Sequence, residues 1–132
     1  MLENRDYMRA PAFEPRRPVT ITLLIANVVA FVLQWISYGQ FPAAVPGAFP
    51  PTDTFFALSV TGLKAGYVWQ LLTFQFMHGG LVHLLLNCWG LYVFGRAVEE
   101  ALGRRSLLVL YFSSGMLGGL LQMLGALVWP TH

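Results

Sequence analysis

Hydrophobic residues fall into three long stretches, and most polar residues lie between them. The stretches cover residues 19–36, 69–95 and 106–129. A helix rises about 1.5 Å per residue, so about 20 apolar residues are needed to cross the roughly 30 Å hydrocarbon core of a bilayer. The pattern therefore predicts an all-α polytopic membrane protein with three transmembrane helices, at about residues 19–37, 78–96 and 106–129.

The connection between the first two stretches has two parts. Residues 41–51 are rich in proline and glycine, which predicts irregular and exposed backbone. Residues 53–63 are apolar but too short to cross a bilayer, which predicts an interfacial or re-entrant segment. The first loop is thus expected to contain structure of its own.

Composition supports the membrane assignment and excludes several other classes of protein. The chain is 56% hydrophobic and only 11% charged, whereas soluble domains are about 25% charged. Intrinsic disorder needs the opposite balance. A net charge of +2 without a basic run argues against nucleic-acid binding. Cys88 is the sole cysteine, so no intrachain disulfide and no cysteine-based zinc site is expected.

The distribution of basic residues predicts how the helices are oriented. Arginines precede the first span or separate the second from the third: Arg5, Arg9, Arg16, Arg17, Arg96, Arg104 and Arg105. Lys64 is the only basic residue of the connection 38–68. Because Lys and Arg in short loops mark the cytoplasmic side, we predict that residues 1–17 are cytoplasmic and that Thr131 and His132 lie outside.

The first stretch is interpreted as a retained span rather than a signal peptide. Its apolar run exceeds the 7–15 residues of a signal peptide, and no small-residue cleavage site follows it directly. The short N-terminal segment has no organelle-targeting character. We therefore expect an integral protein of the bacterial inner membrane.

Polar side chains within the second stretch are the candidates for function, because polar groups are costly at membrane depth. They are Gln70, Thr73, Gln75, His78, His83 and Asn87. His83 and Asn87 are four residues apart and share a helical face. His78 is about 140° away on an ideal helix, and Gly79-Gly80 loosen the backbone there. We therefore expect His78 in the turn before the helix, not beside His83.

Two interpretations of His83 and Asn87 remain open at this level. Both side chains could hydrogen-bond to a neighbouring helix, a contact worth about 1 kcal/mol. Alternatively, they could point into a water-accessible cavity and stabilise an oxyanion. A metal site is not expected, since no second histidine stands at i+4 and this span has no acidic residue.

The segment 69–103 resembles the rhomboid intramembrane serine proteases. The family pattern is a Trp-Arg pair, then His-x4-His-x3-Asn, then Gly-x3-Glu. The matching positions, in order and at the right spacing, are Trp69, His78, His83, Asn87, Gly95 and Glu99. Gly118, Gly119 and Gln122 in the third span also look like the family. The likeness implies that the chain corresponds to the first half of a six-helix fold.

The resemblance also implies roles for these residues. His83 and Asn87 would help to form the oxyanion hole, and His78 would structure the first loop near the active site. Glu99 would join helix ends by hydrogen bonding, a structural role. Trp69 would anchor the first loop.

Two departures from the family pattern affect this interpretation. Gln70 replaces the arginine of the Trp-Arg pair; an amide still hydrogen-bonds but forms no ionic contact. The nucleophilic serine of the Gly-x-Ser-Gly motif and the later catalytic histidine are both absent. Ser114-Gly115 matches the last two positions of the motif, but Phe112 occupies the first position, where the motif requires glycine. We expect the rows Ser114-x3-Gly118 and Gly115-x3-Gly119 to serve close helix packing.

We therefore expect residues 18–132 to form a truncated rhomboid-like membrane domain that is inactive by itself. The whole protein would cleave membrane-anchored substrates within the bilayer, without metal or cofactor. One alternative is a catalytically inactive rhomboid-like protein that binds transmembrane helices. Another is a small subunit that oligomerises through the face formed by residues 113–119.

Overall fold

A computed structural model of the chain describes residues 18–40 and 51–129. The predictions for residues 1–17, most of the proline-rich connection and the last residues lie outside this part. All regular structure in the described ranges is helical. The elements are α1 (Val19–Gln40), α2 (Pro51–Phe56), α3 (Val60–Lys64), α4 (Gln70–Thr73) with a 3₁₀ turn (Phe74–Phe76), α5 (Leu81–Leu102) and α6 (Arg104–Val128).

The prediction of an all-α polytopic membrane fold is confirmed. Three helices, α1, α5 and α6, are long and apolar enough to cross a bilayer. The second helix differs from its predicted bounds, since it begins at Leu81 and continues to Leu102. It begins late because the backbone at Gly80 is extended, with φ 173° and ψ 170°. It contains a π-helical turn, Leu91–Gly95, before it resumes as α-helix.

The first loop folds as two short helices rather than one continuous segment. Ser59 separates them and caps α3, its Oγ accepting a hydrogen bond from the Gly62 amide at 3.0 Å. The loop is therefore held to the bundle, because α2 packs against α1 and α4, and α4 packs against α6.

The apolar core of the described residues is small. Val19, Leu23 and Leu107 are its buried members, and partly buried aromatic and aliphatic side chains surround them. Buried polar residues are as prominent, and they are Thr20, Asn27, Gln34, Gln70 and His78. This balance fits a membrane protein, since lipid is as apolar as a core and helices associate through packing and polar contacts.

Candidate active-site cavity

An open cavity of about 810 Å³ lies between α5, α6 and the turn that follows α4. Its wall combines apolar side chains, glycines and a group of polar side chains. The polar members are Asn27, Gln75, His83, Asn87, Tyr111, Ser114 and Gln122. This space is referred to below as the cavity.

His83 and Asn87 line the cavity from the same face of α5. The segment Leu81–Gly90 is regular α-helix, so residues four apart lie one turn apart. Both side chains are exposed, and neither is engaged in a side-chain hydrogen bond within the described ranges. An imidazole and a carboxamide can each donate hydrogen bonds. The donors of both residues are thus available to a group inside the cavity.

His78 lies in the connection before α5 and is 2% exposed. Its backbone N–H donates to Gln34 Oε1 at 3.1 Å, and its Nδ1 lies 3.0 Å from the Phe76 carbonyl oxygen. Burial lowers the pKa of the His78 imidazole; the charge of His83 acts in the same direction, and the bond to Phe76 opposes it. The ring is therefore held neutral over a wider pH range than a free histidine.

The position of His78 relative to His83 corrects one prediction. His78 does precede the helix, but its ring centroid is 5.3 Å from that of His83, in an edge-to-face arrangement. The expected separation of about 140° assumed an ideal helix. The extended backbone at Gly80 invalidates that assumption and brings the two rings together.

Ser114 faces the cavity, but its hydroxyl is committed elsewhere. Its Oγ donates to the Leu110 carbonyl at 2.6 Å, one turn earlier in α6. This back-bonding is ordinary for serine within a helix. Within the part of the chain that the structure describes, Ser114 is hydrogen-bonded to no histidine, and no group of three or more potential metal ligands occurs.

The two small-residue rows of α6 have different surroundings. A Cβ atom added to Gly119 would lie 2.7 Å from Phe74 Cζ and 2.8 Å from Leu58 Cδ2. The same atom on Gly118 would meet nothing within 4 Å, and Gly118 lines the cavity. The row of Gly115 and Gly119 is thus covered by the chain's own first-loop region, whereas the row of Ser114 and Gly118 is open.

Trp69 and Gln70 join α4 to the first loop, and these two residues are called the first-loop clamp below. Gln70 is fully buried; its Nε2 donates to the Thr54 carbonyl at 3.0 Å, and its Oε1 accepts from the Ser59 amide at 3.1 Å. Trp69 Nε1 donates to the Phe55 carbonyl at 2.8 Å. The uncharged amide of Gln70 therefore connects α4 to the first loop through hydrogen bonds alone.

Glu99 joins the opposite end of α5 to the start of α1. Its Oε1 accepts from the Val19 amide at 2.6 Å. Its Oε2 accepts from the amide and the hydroxyl of Thr20, at 2.9 and 2.7 Å. Gly95 is buried beside Thr20, where a Cβ would come within 3.3 Å of Thr20 Cγ2. Glu99 thus satisfies amides at the N-terminus of α1 that have no partner inside their own helix.

Two buried polar residues of α1 were not singled out from the sequence. Asn27 Nδ2 donates to Tyr111 OH at 3.2 Å and so links α1 to α6. Gln34 accepts from His78 and donates to Asp53 Oδ1 at 3.4 Å. Their place in a hydrophobic span was the available signal, since polar groups at that depth require partners.

Comparison with known proteins agrees with this architecture. The Rhomboid domain family model matches residues 65–128. Rhomboid-like protease 2 of Toxoplasma gondii is 27% identical over 91% of this chain and 43% of its own length. The putative rhomboid protease YdcA of Bacillus subtilis is 36% identical over 45% of this chain and 30% of its own length. RHOMBOID-like protein 12, mitochondrial, of Arabidopsis thaliana is 33% identical over 78% of this chain and 27% of its own length.

The chain therefore contains a Rhomboid domain match at residues 65–128 and is similar to rhomboid proteins over most of its length. It spans less than half the length of each of these relatives. No solved structure matches it. The relatives include eukaryotic as well as bacterial proteins.

Proposed function

We propose that this chain is part of a rhomboid-type intramembrane serine endopeptidase, in which His83 and Asn87 stabilise the oxyanion of the tetrahedral intermediate. The observation that carries the proposal is their placement on one cavity wall with donor groups uncommitted. The similarity to rhomboid proteins supports the same chemistry, since two of the relatives are named as a rhomboid-like protease and a putative rhomboid protease.

The reaction proposed is acyl transfer to a serine. A hydroxyl attacks the carbonyl carbon of the scissile peptide, and negative charge develops on the carbonyl oxygen. Preorganised donors accelerate that step, and the loss of one donor costs about 10²–10³ in kcat. The nucleophile and its base would come from outside residues 1–132, because these residues contain no Gly-x-Ser-Gly motif and the hydroxyl of Ser114 donates to the Leu110 carbonyl. No step in this scheme requires a metal or cofactor.

The alternative is a non-catalytic protein that binds transmembrane helices in the same cavity. One observation favours it: Gly90 and Gly118 line the cavity, and neither has an atom within 4 Å of its Cβ position. Two glycines on opposite walls would allow the backbone of another helix to approach closely. The substrate or partner is in both cases a protein segment within the lipid bilayer.

The decisive experiment compares the 132-residue chain with the product of the complete reading frame that contains it. Both are treated in membranes with a serine-directed fluorophosphonate and assayed with a membrane-anchored reporter substrate. We expect labelling and cleavage only with the complete product, and a loss of about 10²-fold or more in kcat for Asn87→Ala. Labelling of the 132-residue chain would contradict the assignment, and an inert complete product would favour the helix-binding alternative.

We further propose that residues 1–17 lie in the cytoplasm, that residues 18–132 form one membrane domain, and that the membrane is a bacterial inner membrane. The support is the excess of arginine before α1 and around the junction of α5 and α6, at Arg96, Arg104 and Arg105. Accessibility of single cysteines to a membrane-impermeant reagent, in a Cys88→Ala background, would test the orientation. Labelling of a cysteine at position 105 from outside intact cells would contradict it.

A further inference from the structure

We propose that His78 is a positioning residue for His83. The Nε2 of His78 accepts a hydrogen bond from the imidazole of His83, directly or through one water molecule. This bond determines which edge of the His83 ring faces the cavity. The consequence for catalysis rests on the proposed function, whereas the bond itself can be tested without it.

His78 is held on several sides, so its orientation is well defined. The backbone N–H is bound to Gln34 Oε1 and Nδ1 to the Phe76 carbonyl. The ring of Phe31 packs edge-on against the imidazole, with centroids 6.5 Å apart. Gln34 is itself bound to Asp53 of α2. The imidazole is therefore fixed by α1 and by its own loop, not by α5.

The bond to Phe76 also defines the tautomer of His78. A carbonyl oxygen only accepts, so Nδ1 carries the proton, and the neutral ring then has a lone pair on Nε2. His78 is 2% exposed, and Nε2 is the one buried side-chain nitrogen or oxygen without a partner in the described part of the chain. Buried acceptors are nearly always hydrogen-bonded, so this lone pair calls for a donor.

The ring of His83 is the donor that the geometry favours. It lies with its centroid 5.3 Å from that of His78 and its plane inclined by 69°. An edge-to-face pair at this distance leaves space for one hydrogen bond between ring nitrogens, or for one bridging water. Because imidazole nitrogens lie on opposite sides of the ring, engaging one of them directs the other away from His78. The second nitrogen of His83 is thus presented to the cavity. It is an acceptor in the neutral ring and a donor in the imidazolium, so the imidazolium is the form that would stabilise an oxyanion.

Two substitutions at position 78 separate this role from simple support of the loop. His78→Asn keeps a donor near the position of Nδ1, within reach of Phe76, but removes the acceptor at the position of Nε2. His78→Gln does the converse, placing an amide oxygen near the position of Nε2. If His78 only supports the loop, His78→Asn should disturb the protein less than His78→Gln does. If His78 positions His83, His78→Asn should instead disturb the tautomer of His83 more than His78→Gln does.

The measurement is the ¹⁵N chemical shift of the His83 ring nitrogens at one fixed pH, in the 132-residue chain incorporated in lipid bicelles. The chain has only three histidines, which keeps the assignment simple. We expect one dominant tautomer of neutral His83 in the wild type. We expect averaging of the two nitrogen shifts in His78→Asn, and retention of the wild-type pattern in His78→Gln.

Two results would overturn the inference. One is a ¹⁵N spectrum of His83 that His78→Asn leaves unchanged, or that His78→Asn and His78→Gln change equally. The other needs no variant and is a wild-type His83 ring that already averages between tautomers. Either result leaves the proposed function standing, whereas full activity of a His83→Ala complete product would overturn the proposed function alone.

Discussion

Polar side chains at the two ends of this domain and polar side chains in its cavity are treated differently by the fold. Gln70 binds backbone groups of the first loop, and Glu99 binds backbone groups at the start of α1. His83 and Asn87 face an open space with their donors uncommitted. Since helix association in lipid gains little from hydrophobic burial, the first group stabilises the structure. The second group is available to something that enters the cavity.

The strongest test of this comparison removes the Glu99 carboxylate. Glu99→Ala leaves two amides and a hydroxyl at the start of α1 without their acceptor. We expect the free energy of unfolding to fall by roughly 2–4 kcal/mol, since bonds to a charged group are strong. Thermal unfolding in detergent micelles would measure the change.

Glu100 provides the matched control for Glu99. Its side chain is 73% exposed, and Arg96, at 3.6 Å, is its ion-pair partner. Such exposed pairs contribute little, so we expect Glu100→Ala to cost less than about 0.5 kcal/mol. Equal effects of the two substitutions would show that the contacts at α1 do not stabilise the fold.

A second test disturbs the first-loop clamp without touching its polar atoms. A Cβ on Gly62 would lie 2.3 Å from Gln70 Oε1. Gln70 must then move, and it breaks its bonds to Ser59 and Thr54 when it does so. We expect Gly62→Ala to lower stability by about 1–3 kcal/mol, measured by the same unfolding assay.

The control for the clamp is Gly39→Ala, because a Cβ at that position of α1 meets nothing within 4 Å. This change should be neutral or stabilising by up to about 1 kcal/mol. The variant Gly62→Ala combined with Gln70→Ala should cost much less than the sum of the single changes. Simple additivity would mean that the two residues do not interact.

A third test addresses the cavity itself. We expect Asn87→Leu to leave the free energy of unfolding unchanged or to raise it by about 1 kcal/mol, because it removes a polar side chain without a hydrogen-bond partner. Gln75 lines the same cavity but donates to the Leu71 and Phe112 carbonyls. Gln75→Leu should therefore lower stability by about 1 kcal/mol. A destabilised Asn87→Leu variant would place Asn87 among the structural residues.

The smallest expected effect is a dependence on pH that originates in His78. Its pKa is lowered in the folded chain by burial, so the unfolded chain binds more protons below the ordinary histidine pKa of about 6.5. Stability should therefore be complete above that pH and decrease as the pH falls below it. His78→Asn should show a shallower slope between pH 7 and 5. An identical slope would assign the effect to other groups.

Much of the architecture could be predicted from the sequence, because its signals are local. Apolar stretches of sufficient length define the three spans, and a separation of four residues places His83 and Asn87 on one face. The weak points were the bounds of α5 and the position of His78. Gly79 and Gly80 interrupt the helix, and no periodicity shows how the chain continues through an extended glycine.

Which polar groups have hydrogen-bond partners depends on contacts between segments that are distant in the sequence. The partners of Gln70 lie 11 to 16 residues away, and those of Glu99 lie about 80 residues away. Similarly, Gly118 and Gly119 are adjacent in sequence, yet only Gly119 is covered. The spans and the shared face of α5 follow from local helix geometry and can therefore be predicted from residue spacing alone. Packing between distant segments alone determined which side chains hold the fold together and which ones the cavity leaves free.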